Sequence, residues 1–345
     1  MVATFAGLGV AVPPAVSQKA LWDGYFSVAY AGNRVAPHAW AASGVRTRHG
    51  VVDPTIEDVS SWSTAQRMQR YVEESMPLGK EAVAAALDIA GVRAGDVGLF
   101  AVVSCTGYAT PGLDILLARD LGMPTSTQRL MIGHMGCYAA IPALATVSDA
   151  AAARGLVGVL LCIELVSLHA QPPCGETEQI ISHALFSDAA AALVCRPGPG
   201  LRLVDVVAAT DSSHVEKMTW DITDLGFRMG LSPQVPDVLA AQVGGVVDDL
   251  LARSDLERAD ITGWAVHPGG PRILDVVGER LGLASGALDA ARDTLRDHGN
   301  CSSPTVLMVI DEMLRRRPPR HGDTIVALAF GPGLTLYAAL LRWES

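Results

Sequence analysis

Positive charge is scarce in this sequence. Its 345 residues carry 26 Lys plus Arg against 36 Asp plus Glu, a formal charge of −10, and only Lys19, Lys80 and Lys217 are lysines. Phosphate recognition along a nucleic acid needs clustered cations, so this balance argues against a nucleic-acid-binding protein. Long apolar runs are missing too. The best stretch, 155–168, is broken by Glu164, and a bilayer span needs about 18 apolar residues or more. The first residues, Met1 to Gly7, lack the basic segment that opens a secretory signal. CxxC pairs are absent. Cys105, Cys137, Cys162, Cys174, Cys195 and Cys301 lie far apart, mostly within apolar runs, and read as buried or reactive thiols rather than a disulfide scaffold. H-E-x-x-H, the Walker A loop, the complete G-x-G-x-x-G and the G-x-S-x-G elbow are all absent. A cytoplasmic protein outside the membrane, with no metal, is expected.

Half of the residues are apolar and 18% are charged, enough to bury large cores. Strand-length apolar segments alternate with helix-length amphipathic ones, which predicts an α/β protein. Val97 to Ser104, Val157 to Cys162 and Ala189 to Val194 read as strands covered on both faces. Leu78 to Ala90 and Ala139 to Ala153 read as helices. The break Arg196-Pro197-Gly198-Pro199-Gly200 divides the chain into halves at 1–197 and 198–345. In the second half the pattern predicts a helix from Pro236 to Leu251, a strand from Trp264 to Val266, and helices opening at Pro271 and Pro304. A hairpin follows, Thr324 to Ala329 and Leu334 to Leu341 around Gly331-Pro332-Gly333.

Three residues suggest chemistry together. Cys137 lies in Gly133-His134-Met135-Gly136-Cys137, glycines ahead of a small-residue helix whose N-terminus favours a thiolate. A helix end supplies about 0.3–1 kcal/mol, whereas a mostly ionised thiol at neutral pH needs a drop of about 2 pKa units, so a cationic partner is required. His267 ends an apolar strand before Pro268-Gly269-Gly270 and is the candidate partner in an ion pair. Asn300, before another helix start, offers a carboxamide donor for a developing oxyanion. Nucleophile, imidazole and amide suit acyl transfer. Papain-like proteases share the order Cys, His, Asn, but their C-G-[SA]-C-[WY] signature is missing.

Four stretches carry a family resemblance: His267-Pro268-Gly269-Gly270-Pro271, Gly299-Asn300-Cys301-Ser302-Ser303, Leu185-Phe186-Ser187-Asp188 and Phe330-Gly331-Pro332-Gly333. From about Ser43 to Trp343 the chain resembles the chalcone-synthase-like, type III polyketide synthases of the thiolase superfamily, in a bacterial form. That resemblance implies a thiolase-like fold of two pseudo-symmetric βαβαβαββ-type halves in αβαβα layers, a homodimer, and a triad of Cys137, His267 and Asn300. It implies an acyltransferase that loads a starter from acyl-CoA, or from an acyl carrier protein, onto Cys137. Decarboxylative condensations with malonyl-CoA then lead to a pyrone, resorcinol or polyhydroxyarene, with CoA thioesters as substrates and no cofactor. Ketoacyl-ACP synthase III-like enzymes, which stop after one round, are the alternative, and a catalytically idle thiolase-fold subunit is a further one.

The resemblance also assigns a pocket. Phe186 and Phe227 match the gatekeeper phenylalanines; Cys105, Thr106, His169, Met218 and Ser302 match cavity positions, and Gly331, Pro332 and Gly333 a substrate-facing turn. Arg46 and Arg48 resemble a basic segment at the CoA-tunnel mouth, and Arg272 opens a helix that can face phosphate.

Overall fold

The computed structural model describes residues 2–345. Nine strands make one mixed sheet: β1 (Ala3–Ala11), β2 (Val97–Ser104), β3 (Gln128–Gly133), β4 (Val157–Leu165), β5 (Asp188–Pro197), β6 (Gly200–Thr210), β7 (Gly263–Val266), β8 (Thr324–Gly331) and β9 (Thr335–Glu344). Their order across the sheet is β7-β8-β9-β6-β1-β5-β4-β2-β3. The first half contributes β2-β4-β5-β1, the second β7-β8-β9-β6. The two runs match pair by pair: β2 with β4 and β7 with β8 are parallel, and the other neighbouring pairs within each run are antiparallel. Pseudo-symmetry is thus written in the hydrogen-bond ladders, although no residue-level repeat announces it. Only β3, on the free edge beside β2, lacks a counterpart in the second half.

Seven helices matter for the site: α1 (Thr64–Ala90), α2 (Ala140–Arg154), α3 (Thr177–Leu185), α4 (Val235–Ala252), α5 (Pro271–Leu281), α6 (Asp289–His298) and α7 (Pro304–Arg316). α1 packs on β1, β5 and β4, and α4 covers β6 and β9 from the opposite side of the molecule. Between these outer layers lie α2, against β4, β5, β6 and β9, and α7, against β5, β7 and β8; α2 and α7 also touch each other. This is the αβαβα arrangement of a thiolase-like fold. The middle helices explain why β4 and β5 carry almost unbroken apolar sequence, since both faces of these strands are covered.

Helix α1 begins fourteen residues earlier than the sequence pattern predicts, at Thr64 instead of Leu78. Pro77 sits inside it, and its missing N–H masks the continuity, while Ser63 and Gln66 close a capping box at the start. A two-stranded hairpin, Met218–Thr223 with Gly226–Leu231, is absent from the sequence reading although its residues alternate with period two: Met218, Trp220 and Ile222 pair with Leu231, Met229 and Phe227 on one face. No helix among the described residues is long and apolar enough to cross a membrane.

Candidate active site

The two middle-layer helices start at the same place. Cys137 lies in the single tight turn Gly136–Tyr138 that leads into α2, and Asn300 to Ser303 form the loop that leads into α7. The Cys137 Sγ lies 3.5 Å from the Ser302 Oγ, so the pseudo-symmetric loops meet at the candidate nucleophile. Asn300 is tied into a short strand-like bridge with Phe186: its N–H donates to the Leu185 carbonyl at 2.9 Å, and its own carbonyl accepts from the Ser187 N–H at 2.9 Å. Its side-chain Oδ1 accepts the Ser302 N–H at 2.9 Å, which holds Ser302 at φ 57 and leaves the amide nitrogen as the free donor.

His267 follows β7 and continues its parallel pairing, donating its N–H to the Leu328 carbonyl at 2.8 Å. Three residues further along β8, Gly331 packs on the nucleophile's turn: a Cβ there would sit 3.3 Å from the Cys137 nitrogen and 2.9 Å from the Tyr138 ring. One strand therefore supports both His267 and Cys137. The His267 ring packs edge-on to Phe330 and is 1% exposed. Neither of its nitrogens has a hydrogen-bond partner among the described residues. A buried imidazole left unsatisfied on both sides is costly, and a reacting group is the natural partner for it. Burial pushes the Cys137 thiol up to about 12 and His267 down to about 3. Burial thus disfavours the charged form of both groups.

Next to the Cys105 and Ser303 side chains lies a carboxylate that the sequence shows only as a break in an apolar run. Glu164, fully buried on β4, accepts from the Cys105 and Thr106 N–H groups, from the Ser104, Thr106 and Ser303 hydroxyls, and from the Cys105 thiol. Burial raises its pKa while those donors pull it back. Cys105 Sγ is 3.8 Å from Ser302 Oγ, so Ser302 stands between two thiols.

Two cavities flank this centre. The first is lined by Phe186, Phe227, His169, Trp220, Met229 and Arg48, among others. His169 Nδ1 accepts the Phe227 N–H at 2.9 Å and its Nε2 donates to the Thr106 carbonyl at 2.6 Å, which fixes one tautomer. Its ring stacks on Phe227 at 4.5 Å. Trp220, absent from the sequence candidates, completes this aromatic wall and donates its indole N–H to the Cys105 carbonyl at 2.8 Å. The second cavity is almost wholly apolar and runs from Arg272 past Pro271, Gly270 and Gly269 to Phe330, the ring against His267.

Several candidates fall elsewhere than expected. Met218 lines the second cavity and not the one holding Phe227. Gly331, Pro332 and Gly333 line neither; they support the nucleophile's turn, since a Cβ on Gly136, at φ 75, would come within 2.6 Å of the Pro332 Cδ. Arg48 is buried, donates to the His183 and Phe186 carbonyls and lies 5.0 Å above the Trp40 ring, so it does not face a tunnel mouth. Arg46 is exposed but paired with Asp297 at 2.9 Å. Arg272 is exposed at the cavity rim with no ion-pair partner among the described residues.

Residues 2–199 match the family model for the N-terminal domain of chalcone and stilbene synthases, and residues 207–343 match that for the C-terminal domain. The chain belongs to the chalcone and stilbene synthase family. It is 36% identical over 312 residues, 88% of this chain and 82% of the relative, to a 1,3,6,8-tetrahydroxynaphthalene synthase of Streptomyces peucetius subsp. caesius. It is 34% identical over 283 residues, 80% and 76% of the two chains, to a 3,5-dihydroxyphenylacetyl-CoA synthase of Amycolatopsis balhimycina. Its fold superimposes on the 1,3,6,8-tetrahydroxynaphthalene synthase of Streptomyces coelicolor A3(2), a bacterial type III polyketide synthase, with a TM-score of 0.93, 26% identity and 99% of both chains covered. These relatives place the chain among the type III polyketide synthases, acyltransferase-type enzymes, and not among the single-round ketoacyl-ACP synthases.

Proposed function

We propose that this enzyme loads an acyl starter onto Cys137 and extends it with malonyl units. His267 takes the Sγ proton as the thiolate attacks the starter's thioester carbonyl, and returns it to the departing CoA sulfur. Malonyl-CoA then loses CO₂, and the enolate carbon attacks the Cys137 thioester, releasing the thiolate. Negative charge gathers on oxygen in each step, and the free amide of Asn300 with the His267 N–H donates to it; loss of one such donor costs roughly 10²–10³ in rate. The apolar surroundings favour loss of a poorly solvated carboxylate.

The observation that carries this reading is the buried, unpartnered His267 imidazole packed against Phe330, which lines the apolar cavity whose rim holds the unpaired Arg272. A chain of net charge −10 needs a local cation to receive a CoA phosphate tail, and Arg272 supplies it. The starter comes from acyl-CoA, with an acyl carrier protein as alternative donor, and the product is a pyrone, resorcinol or polyhydroxyarene. The enzyme works as a homodimer, supported by the open edge of β3, where Met131 is 41% exposed. Mass analysis after incubation with a panel of acyl-CoA starters and malonyl-CoA tests it: an acyl adduct on Cys137 and multi-ketide products are expected, and addition of a single ketide unit overturns it.

A further inference from the structure

Two histidines with no part in the chemistry above are joined to Asn300 by a closed circuit of contacts. His298 ends α6, and its Nδ1 lies 3.0 Å from the Nε2 of His49; the rings overlap at 5.1 Å and 24°. His49 Nδ1 is 2.9 Å from the Pro13 carbonyl, which only accepts. His49 must therefore carry its hydrogen on Nδ1, its Nε2 offers a lone pair, and His298 Nδ1 donates to it.

The circuit closes through Ser187. The His49 N–H donates to Ser187 Oγ at 2.8 Å, and that hydroxyl donates back to the His49 carbonyl at 3.0 Å. The Ser187 N–H then donates to the Asn300 carbonyl at 2.9 Å. On the other side only Gly299 separates His298 from Asn300. Its φ is 75, and a Cβ there would meet the Ser187 Cβ at 2.9 Å and the Leu185 carbonyl at 3.0 Å. Gly299 is thus the hinge that lets a helix end be pressed this close to the strand-like bridge, and a freely turning hinge needs something to hold its far side. The His298–His49 hydrogen bond does so. Cys137, by contrast, hangs from the turn before α2 and from β8, and meets this loop only through the Ser302 hydroxyl, 3.5 Å from its Sγ.

We propose that His298, through its hydrogen bond to His49, is a positioning residue that holds the Asn300 carboxamide at the oxyanion. This rests on the donor role assigned to Asn300. It follows that loss of the hydrogen bond weakens the step that needs Asn300 and spares the step that needs only the thiol and His267, because small misplacement of a reacting group is expensive in rate.

The test uses the full-length enzyme and two separate readouts, acyl transfer from an acyl-CoA to Cys137 and decarboxylation of malonyl-CoA. His298→Phe keeps a stacked ring but cannot donate; His298→Asn places an amide nitrogen where Nδ1 was. His298→Phe is expected to lower kcat for decarboxylation about tenfold with KM and loading within about twofold, and His298→Asn to recover most of the loss. Should His298→Phe destabilise the fold, His298→Ala and His49→Phe, which remove donor and acceptor in turn, must reproduce the same split. Unchanged decarboxylation, or equal loss of both activities without recovery in His298→Asn, overturns the proposal. Asn300→Ala in parallel separates the failures: if it decarboxylates normally, the Asn300 role itself falls and the positioning role with it.

Discussion

Pro332 rests against Gly136 so closely that a Cβ on the glycine would come within 2.6 Å of the proline Cδ. The turn joining β8 to β9 thus acts as a floor for the turn bearing Cys137. Both turns come from distant sequence, and their fit depends on the absence of one side chain.

Gly136→Ala should therefore displace Cys137. A left-handed backbone costs a residue with a Cβ roughly 1–2 kcal/mol before the clash with Pro332 is counted. Acylation of Cys137, followed by intact-protein mass spectrometry, is expected to slow by more than about tenfold with only a modest fall in Tm. Normal acylation kinetics would show that the turn tolerates the methyl group.

Trp220 bounds the aromatic wall, so its removal should lengthen the product. With Trp220→Ala the product mixture from a fixed starter and malonyl-CoA is expected to shift toward more condensations. Trp220→Phe keeps a ring but loses the hydrogen bond to the Cys105 carbonyl, at a cost of about 1 kcal/mol in stability. An unchanged ketide distribution in Trp220→Ala would remove this residue from the pocket's limits.

Arg272→Ala should act on binding. A charge-assisted hydrogen bond to phosphate is worth about 1.5–3 kcal/mol, so KM for CoA thioesters is expected to rise about tenfold or more while kcat stays within about twofold. Steady-state kinetics with a CoA thioester and with its truncated pantetheine analogue check it: the variant should no longer distinguish the two by KM.

Acid should destabilise the wall around His169. Burial pushes this imidazole down to about 4, from an ordinary value of 6.5, so the folded chain binds fewer protons than the unfolded one in between. Its contribution is full above pH 6.5 and is lost as pH falls from there through about 4. At about pH 5 the loss amounts to about 2 kcal/mol. Urea unfolding at neutral and acidic pH should show a shallower pH dependence for His169→Gln than for the wild type; identical slopes would mean that His169 is not held neutral.

How much of this was open to sequence reading depends on where each feature gets its signal. Strands covered on both faces announce themselves, and β2 runs from Val97 to Ser104 as its composition indicates. The hairpin bearing Trp220 and Phe227 gives a different signal, a strict alternation of apolar and polar residues over two six-residue strands, which a search for continuous apolar runs passes over. Cys137, His267 and Asn300 are legible because each stands next to glycine or proline at the end of an element, where the chain has to turn. Glu164 is illegible as a site residue: its donors sit on two other segments, 104–106 and 303, that approach it only in the folded chain. Arg48 misleads for the same reason. Nothing local distinguishes an arginine that turns inward to satisfy carbonyls from its exposed neighbour Arg46.

The matching ladders of the two halves carry a consequence for how the enzyme came to work. Cys137 belongs to one repeat and His267 and Asn300 to the other, and the turns that lead into α2 and α7 meet where Cys137 Sγ lies 3.5 Å from Ser302 Oγ. Neither repeat holds a complete set of reactive groups. A polypeptide severed between β5 and β6 would be inert as separate fragments, and regain of turnover on mixing them would report reassembly of the whole molecule.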